Sequence, residues 1–479
     1  MKRVPSLFLS TIFSVALAAG LAQCAMGAES SVTLMLDARN PGVVIPPDFS
    51  GLSFEAALLL PEPDAVQYFR PDNQPLVNLF HTLGIKNLRI GGNTSDRDAK
   101  QLPDEADLDS LFAFAKVAGV KVIYCLRLHD GNVQADAATA KYIMAHYTPL
   151  VDCFSIGQEP SAYPKPYAYA DYRKDWKKFA DAIIAAVPDV KFCGPGVHNN
   201  AVWARNFMAD FGHSDHIVLI TEHLYAGGAG NKVPTPETGR DRMLSDEFIS
   251  KYQKLHDGFV PMAISNALPY RLEEVNNYFN GGATNVSNTF ASALWGLDFM
   301  YWWAAHGAAG LNFHTGDRVA AGYTLQPSKY TAFFSTTNGY IVRPLGYGIK
   351  AFDLGSHGRF VPATMTNPEN LNLSTYAVLG DDKNLYVTII NKEHGAGARG
   401  AAVAINQDHA GFTRAGAIFL TAPENKVAAT AGETLGGTLI LNDGSWDGKW
   451  TPLHLPVSDS VFLAKIPAAS AAIIKLVRN

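Results

Sequence analysis

Between about residue 50 and residue 316, short apolar runs alternate with helix-like segments, and this alternation constrains the fold more than any other feature of the sequence. The runs are apolar on both faces, which is typical of parallel strands that are covered by helices on each side. The segments 169–187 and 289–307 read as two of the helices. The runs are GLSFEA (51–56), IKNLRIGG (85–92), VKVIYCLRL (120–128), CFSIGQEP (153–160), DVKFCGPG (189–196), HIVLITEHLY (216–225), PYRLEEVN (269–276) and AAGLNFHTG (308–316).

Eight strand–helix units over roughly 250 residues match the size of a (β/α)8 barrel, also called a TIM barrel. A doubly wound open sheet is the alternative. Such a sheet commonly carries a Gly-rich phosphate turn after an early strand, and GGN at residues 91–93 is too short to be one. We therefore predict an α/β fold with a closed catalytic barrel over residues 49–338.

The pattern changes near residue 340, where short alternating runs are separated by Gly, Asn and Asp. This spacing predicts an antiparallel β-sandwich over residues 339–479. The segment SVTLMLDARNPGVVI (31–45) alternates in the same way. We expect residues 29–48 to pair into the sandwich, so that both ends of the mature chain belong to the smaller domain.

The N-terminus has the three-part layout of a secretory signal. Lys2 and Arg3 precede the apolar run LFLSTIFSVALAAGLA, and small residues follow it. We predict a signal peptide over residues 1–28, with cleavage between Ala25 and Ala28, and a secreted or periplasmic location. A lipid anchor on Cys24 is the alternative, although Gln23 is larger than the small residue that such a site prefers.

Charge and cysteine content exclude several classes of function. The net charge of −5 gives no electrostatic footprint for nucleic acid or an anionic membrane, and no apolar stretch after the signal is long enough to span a membrane. Cys125, Cys153 and Cys193 sit within apolar runs without a short-spaced partner, which predicts buried free thiols. No metal or cofactor is predicted, because these histidines lack compact ligand spacing: His198, His213, His216 and His223.

Two carboxylates stand where a barrel places its catalytic residues, at the C-terminal ends of strands. Glu159 closes the fourth run and Glu274 lies at the end of the seventh. The fourth and seventh strands of a closed barrel face each other across its mouth. Most single strand-end carboxylates are solvated or capping residues, but an opposed pair is what cleavage of a glycosidic bond needs.

Polar neighbours strengthen this interpretation. Tyr225 ends the sixth run, where its hydroxyl can hydrogen-bond a carboxylate on the seventh strand, and Glu55 ends the first run. The second run ends with Arg89 and Asn93 close by. Arg89 fits equally well as part of a buried ion pair beneath the site.

With these residues in place, the sequence resembles glycoside hydrolase family 79, the family of β-glucuronidases and heparanase. The resemblance covers nearly the whole mature chain. It includes the two-domain layout, and its strongest stretch is LEEVNNYFNGGATNVSNTFASALWGLDFM (272–300). The other matching motifs are GLSFE, LRIGGNTSD, GQEPSAY and HLY.

The resemblance implies that Glu159 is the general acid/base and Glu274 the nucleophile. Choosing Glu274 over Glu273 depends on the family's Glu-x-Asn match. Since neighbours in a regular strand point to opposite faces, we expect Glu273 to face the surrounding helices or the surface. We also expect the charge of Glu274 to raise the pKa of Glu159. The implied substrate-binding residues are Glu55, Asn93, Gln158, Tyr225, Tyr278, Gly322 and Tyr323.

The implied activity is retaining, exo-acting hydrolysis of β-linked glucuronic acid, with a carbohydrate as the substrate and no nucleic-acid partner. Gly322 and Tyr323 resemble the family's uronate-binding pair. Gln158 departs from the Asn that most barrels of this larger group carry before the acid/base, and this puts the identity of the sugar in question. A β-glycosidase for a neutral sugar such as a β-glucoside, and an inactive secreted carbohydrate-binding protein, remain the alternatives.

Overall fold

The computed structural model describes residues 30–62, 66–317, 327–407, 411–453 and 461–478. Strand β1 (Ser30–Leu36) belongs to the smaller domain, and the next eight strands form a closed parallel barrel, as predicted. Each barrel strand begins and ends within four residues of its predicted bounds. The barrel strands are β2 (Ser50–Glu55), β3 (Asn87–Gly91), β4 (Lys121–Leu126), β5 (Val151–Ile156), β6 (Phe192–His198), β7 (Ile217–Tyr225), β8 (Tyr270–Asn276) and β9 (Gly310–His314).

Helices cover the outside of the barrel, and their ends carry the expected local signals. The second helix begins at a reciprocal capping box of Asp104 and Asp107 and ends at Gly119, whose φ is 68°. The α-helices are α1 (Gln74–Thr82), α2 (Glu105–Ala118), α3 (Val133–Tyr147), α4 (Tyr169–Ala186), α5 (Ala201–Phe211), α6 (Pro236–Met243), α7 (Asp246–Ser265), α8 (Phe290–Ala305) and α9 (Pro344–Gly355).

Helix α9 follows a hairpin of β10 (Phe333–Thr336) and β11 (Gly339–Val342). It packs closely along α8, because a Cβ atom on Gly348 would lie 2.4 Å from the Ala293 carbonyl oxygen. The domain boundary that we predicted at residue 338 lies between β10 and β11, inside this hairpin. Helix α9, which completes the outer layer of the barrel, comes after that boundary.

The C-terminal domain is a β-sandwich that also takes the N-terminal strand, as predicted. One sheet has the order β13-β1-β16-β20, with β1 parallel to β16 and Val32 opposite Val403. The other has the order β12-β14-β15-β21-β17-β18, with β19 paired to β17. These strands are β12 (Gly358–Phe360), β13 (Ala363–Thr366), β14 (Leu373–Gly380), β15 (Leu385–Asn391), β16 (Ala401–Asn406), β17 (Phe412–Thr421), β18 (Thr434–Leu435), β19 (Thr451–Leu453), β20 (Val461–Ile466) and β21 (Ser470–Arg478).

A buried polar cluster joins the two domains. Lys392 of the sandwich pairs with Asp298 of α8 at 2.7 Å, and the hydroxyl of Tyr376 donates to the same carboxylate at 2.7 Å. The ring of Tyr376 stacks on Tyr301 of α8, with centroids 4.8 Å apart. The sandwich is thus fixed against the helix that follows strand β8.

Two predictions about the rest of the chain can be compared with the structure. The three cysteines among the described residues are free and buried, as expected. No helix in the described part of the chain combines the length and the apolar character that crossing a bilayer requires. The predicted signal peptide and Cys24 lie outside the described residues.

Candidate active site

A pocket of about 380 Å³ opens at the C-terminal ends of the barrel strands. Its volume lies within the range of about 300–1,000 Å³ that is typical of small-molecule sites. Carboxylates, imidazoles and aromatic rings line it together, which suits a hydroxyl-rich ligand with a flat apolar face. The described lining residues are Glu55, Asn93, Arg97, Glu159, His198, Tyr225, Glu274, Phe279, Asn280, Gly281, His314 and Tyr330.

Glu274, at the end of β8, is held by three hydrogen-bond donors. Nη1 of Arg89 donates to its Oε2 at 2.8 Å, and Nε2 of Gln158 donates to the same oxygen at 3.0 Å. The hydroxyl of Tyr225 donates to Oε1 at 3.0 Å, as expected from the sequence. Since Arg89 is itself fully buried, its ion pair with Glu274 lies beneath the pocket.

These neighbours also fix the charge of Glu274. Burial raises the pKa of this carboxyl, but the positive charges of His314, His223 and Arg89 outweigh burial, and the pKa lies well below its usual range. Glu274 is therefore an ionised, oriented carboxylate at neutral pH. That is the state which a nucleophile requires.

Glu159 is presented by a turn rather than by the strand itself. Strand β5 ends at Ile156, and Gly157 (φ 90°) and Glu159 (φ 46°) both adopt the left-handed region. Such a conformation is costly for a residue other than glycine, so the surroundings must hold it. Asp96 does so by accepting hydrogen bonds from the backbone N–H of Gln158, at 2.8 Å, and from the hydroxyl of Tyr163.

The two glutamates face each other across His223. Their carboxylate oxygens approach to within 4.8 Å. Nδ1 of His223 donates to Oε1 of Glu159 at 3.1 Å and lies 3.9 Å from Oε2 of Glu274. The structure thus brings together the residue pair that the sequence singled out and adds an imidazole between them.

The expectation that the pKa of Glu159 is raised is wrong for this arrangement. Burial raises this pKa, but the hydrogen bond and charge of His223 outweigh burial and lower it. For His223, burial lowers the pKa, whereas the charge of Glu274, the hydrogen bond with Glu159 and the close contact with Glu273 raise it to about 9. At neutral pH the proton shared by this group therefore resides on His223.

Glu273 faces the barrel interior, and our expectation that it faces the helices or the surface is wrong. Strand β7 pairs Glu222 with Leu272 and His223 with Glu274, so Glu273 is an extra residue in a β-bulge. A bulge lets two successive side chains turn to the same side of a sheet. Glu273 is fully buried, with Oε1 3.6 Å from Nε2 of His223 and Oε2 4.0 Å from Nε of Arg89.

Glu55 and Asn93 also reach the pocket, as the sequence suggested. Glu55 accepts hydrogen bonds from the backbone N–H groups of Thr94, at 2.8 Å, and Asn93, at 3.3 Å. Asn93 accepts a hydrogen bond at 2.7 Å from Nη2 of Arg97, which also contacts Glu159 at 3.4 Å. Gln158 is buried behind Glu274 and does not line the cavity.

Tyr278 is not brought into the pocket. Its ring is fully buried, and its hydroxyl donates to the Gly239 carbonyl at 2.8 Å. Gly322 and Tyr323, which we singled out for binding a uronate, lie outside the described residues.

Several pocket residues were missed by the sequence analysis. His223 could have been found from strand alternation, since it lies two residues before Tyr225 and shares its face of β7. His314 similarly ends the eighth run. No sequence signal identified the others, of which His198 is the last residue of β6 and the rest follow strand ends: Arg97, Phe279, Asn280, Gly281 and Tyr330.

Among the described residues, Glu159, His223 and Glu274 form the group whose ligand atoms are close enough to share a metal ion. The site does not fit a cation well. Arg89 already neutralises Glu274 at 2.8 Å, and Tyr225 and Gln158 occupy the carboxylate as donors. We therefore assign no metal here.

Gly92 shapes the wall that carries Glu55. Its φ is 73°, and a Cβ atom there would lie 2.3 Å from the Glu55 carboxyl carbon. We expect Gly92→Ala to lower the free energy of unfolding by about 1–3 kcal/mol and to raise KM by displacing Glu55. Gly119→Ala is the matched control, since Gly119 has a φ of 68° with open space around it. Equal losses of stability and unchanged KM in both variants would contradict a steric role for Gly92.

The comparisons with known proteins agree with this site. No protein-family model matches the chain. It is 25% identical over 304 residues to a β-glucuronidase of Aspergillus niger, covering 51% of this chain and 53% of that protein. It is 25% identical over 200 residues to a β-glucuronidase of Neurospora crassa, covering 38% of this chain and 35% of that protein. The matches thus span about half or less of these curated relatives.

Solved structures share the fold over most of the chain. A 4-O-α-L-rhamnosyl-β-D-glucuronidase from Fusarium oxysporum aligns with a TM-score of 0.71 and 18% identity, covering 93% of this chain and 100% of that one. A family 51 arabinofuranosidase from Xanthomonas axonopodis pv. citri aligns with a TM-score of 0.67 and 15% identity, covering 94% and 100%.

The relatives and the structural neighbours are glycoside hydrolases, the class that the barrel and its paired glutamates predict. Within that class, the curated relatives named above are β-glucuronidases, which fits the resemblance to glycoside hydrolase family 79.

Proposed function

We propose that this chain is a retaining, exo-acting glycoside hydrolase that releases β-linked glucuronic acid. The observation that carries the proposal is the approach of the Glu159 and Glu274 carboxylates to within 4.8 Å. Retaining glycosidases hold their two carboxyl groups about 5–5.5 Å apart, whereas inverting enzymes separate them by about 6.5–9.5 Å to admit a water molecule. The small volume of the pocket, about 380 Å³, favours exo action.

In the first step, Glu274 attacks the anomeric carbon while the carboxyl of Glu159 protonates the departing glycosidic oxygen. In the second step, Glu159 takes a proton from a water molecule that attacks the glycosyl ester, and the sugar leaves with its original configuration. Arg89 and Tyr225 keep Glu274 ionised and aimed. When the glycosyl ester is cleaved, Arg89 and Tyr225 again stabilise the negative charge on the released Glu274 carboxylate.

The preference for a uronate is supported by the β-glucuronidase relatives and by cationic groups in the pocket. Arg97 lies at the wall beside Glu159, and its Nη1 is buried with no hydrogen-bond partner. Burial lowers the pKa of His314, but the charge of Glu274 and the contact with Glu55 raise it, which favours a second positive charge in the pocket, beside Glu55. A carboxylate on the sugar complements both groups.

Two assays test the proposal. Aryl β-glucuronide and aryl β-glucoside are compared at equal concentration, and proton NMR records the anomer formed first. We expect the glucuronide to be cleaved at least about tenfold faster and the β-anomer to appear first. A preference for the glucoside would overturn the uronate assignment, and an α-anomer as first product would overturn retention. Sugar binding without any turnover would favour the inactive carbohydrate-binding alternative.

We also propose a secreted or periplasmic location, which rests on the sequence of residues 1–28 alone. N-terminal sequencing of the exported protein checks it. Mature chains that begin between Met26 and Glu29 are expected, whereas a retained Met1 would contradict export by this signal.

A further inference from the structure

Beneath the paired glutamates lie buried polar atoms that the mechanism above does not use. Nε2 of His223, Oε1 of Glu273 and Nε of Arg89 are all buried and lack a hydrogen-bond partner. Nε2 of His223 and Oε1 of Glu273 lie 3.6 Å apart. Since burying an unpaired polar group is costly, their placement next to a reactive site calls for a functional explanation.

We propose that Glu159, His223 and Glu273 form a proton relay in which His223 stores the proton that Glu159 delivers to the leaving group, and Glu273 holds His223 in its charged form. This inference rests on the proposed function, because it assigns a source for the proton of the acid step. His223 and Glu273 act through Glu159, so both are positioning residues.

The relay resolves a conflict within the site. A general acid must carry a proton when the glycosidic bond breaks, yet the hydrogen bond from His223 holds the pKa of Glu159 below its usual range. The imidazolium lies 3.1 Å from Glu159 and has the proton that Glu159 lacks. A short transfer along that hydrogen bond converts the ion pair into a neutral carboxylic acid and a neutral imidazole.

The proton balance closes over the two steps. In the first, the Nδ1 proton of His223 passes to Glu159, and Glu159 passes it on to the glycosidic oxygen. The bond from C1 to that oxygen breaks, the bond from C1 to Glu274 forms, and the aglycone leaves as an alcohol. In the second, water gives a proton to Glu159 as its oxygen bonds to C1 and the ester to Glu274 breaks. That proton returns to His223.

The charges around His223 explain why it holds the proton. Carboxylates approach both ring nitrogens, with Glu159 at Nδ1 and Glu273 at Nε2. The positive charge of Arg89, on β3, acts in the opposite direction and lowers the pKa of the ring. Gly196, with a φ of 60°, leaves room for this approach, since a Cβ atom there would lie 2.7 Å from Oε1 of Glu273. The titratable or charged groups around the ring and its carboxylate partners, strand by strand, are Arg89 (β3), Glu159 (after β5), Cys193 and His198 (β6), Glu222 (β7), Glu273 and Glu274 (β8) and His314 (β9).

Glu273→Gln tests the relay, and Glu222→Gln is its matched control. Glu222 is an equally buried neighbour that accepts a hydrogen bond from the Asn200 N–H, and burial raises its pKa well above its usual range. Glutamine therefore replaces a neutral side chain at 222 but removes a negative charge at 273, where Arg89 and His223 lower the pKa despite burial. Both variants lose a buried carboxyl, and only one loses a charge beside His223.

We expect Glu273→Gln to shift the basic limb of the pH profile of kcat/KM downwards by about one unit, and so to cut activity above that limb about tenfold. Glu222→Gln leaves the limb in place. The ring ¹⁵N resonances of His223 give a second readout that needs no substrate, and they should show its pKa falling in Glu273→Gln alone. An unchanged profile and unchanged resonances in Glu273→Gln overturn the relay.

His223→Asn provides a second test through the leaving group. At a pH high enough to ionise Glu159 in this variant, where only a stored proton could serve, cleavage of a sugar aglycone, which needs protonation, should fall by about 10²–10⁴-fold. An aryl glycoside with a good leaving group should lose less than tenfold. Equal losses for both leaving groups would indicate a purely structural role. If the wild-type chain cleaves no glucuronide while His223 titrates as described, the proposed function fails and the proton store stands.

Discussion

Glu274→Gln is expected to lower kcat by roughly 10⁴–10⁶-fold while the chain remains folded. Glutamine keeps the shape of the side chain and a hydrogen-bond acceptor for Tyr225, but its amide is a far weaker nucleophile than the carboxylate. Initial rates on an aryl β-glucuronide and thermal unfolding by circular dichroism measure the two quantities. Residual activity above about one hundredth of the wild-type rate would contradict a nucleophilic role for Glu274.

A covalent trap distinguishes Glu274 from the carboxylate beside it. A 2-deoxy-2-fluoro glucuronide with a good leaving group should form an ester that hydrolyses slowly, and fragmentation of the labelled peptide should place the added mass on Glu274. Glu273→Gln is the matched variant, since it changes the adjacent buried carboxyl and should still be labelled. Label on Glu273 in the wild-type chain would reverse the assignment.

Arg89→Met is expected to lower the free energy of unfolding by about 3–5 kcal/mol. The guanidinium lies 2.8 Å from Glu274 and 4.0 Å from Glu273, and all three groups are buried. Methionine fills much of the volume but leaves two buried carboxylates without their cation. Denaturant unfolding at neutral pH measures the loss.

The pH dependence of this loss identifies its cause. The pKa values of Glu273 and Glu274 are lowered in the folded chain, so their stabilisation is complete above the unfolded value near 4.5 and disappears as the pH falls through the folded values. The difference between Arg89→Met and the wild type should therefore shrink below about pH 4. Arg271→Met is the control, because Arg271 is equally buried but contacts the partly exposed Asp48 at 3.4 Å. A loss for Arg89→Met that stays constant down to pH 3 would contradict the electrostatic explanation.

Gln158 illustrates how a departure from a motif can be explained by geometry. Its Oε1 accepts a hydrogen bond from Nη2 of Arg89 at 2.5 Å, while its Nε2 donates to Glu274 at 3.0 Å. The side chain therefore spans the space between the buried cation and the candidate nucleophile. An asparagine on the same backbone is one methylene shorter, so it would have to give up one of these two contacts or move the turn.

The sequence predicts the barrel well, because each strand is an apolar run whose length and spacing are local properties. It places Glu274 and Tyr225 at strand ends, and Glu159 in the turn just after one, for the same reason. The inward turn of Glu273 was not predictable in this way, since the bulge is set by the register of β8 against β7. The pKa of Glu159 was likewise out of reach, because it depends on a ring 64 residues away in the chain.

Strand β1 has a consequence for how the chain acquires its structure. It is an inner strand of its sheet, between β13 and β16, and its partner residues lie some 330 to 370 positions later, as in Thr33 opposite Thr366 and Val32 opposite Val403. During synthesis from the N-terminus, this first strand must wait unpaired until nearly the whole chain has been made. Contacts of such long sequence separation form slowly. We therefore expect the barrel segment to collapse first and the closing of the small domain around β1 to limit the rate of maturation.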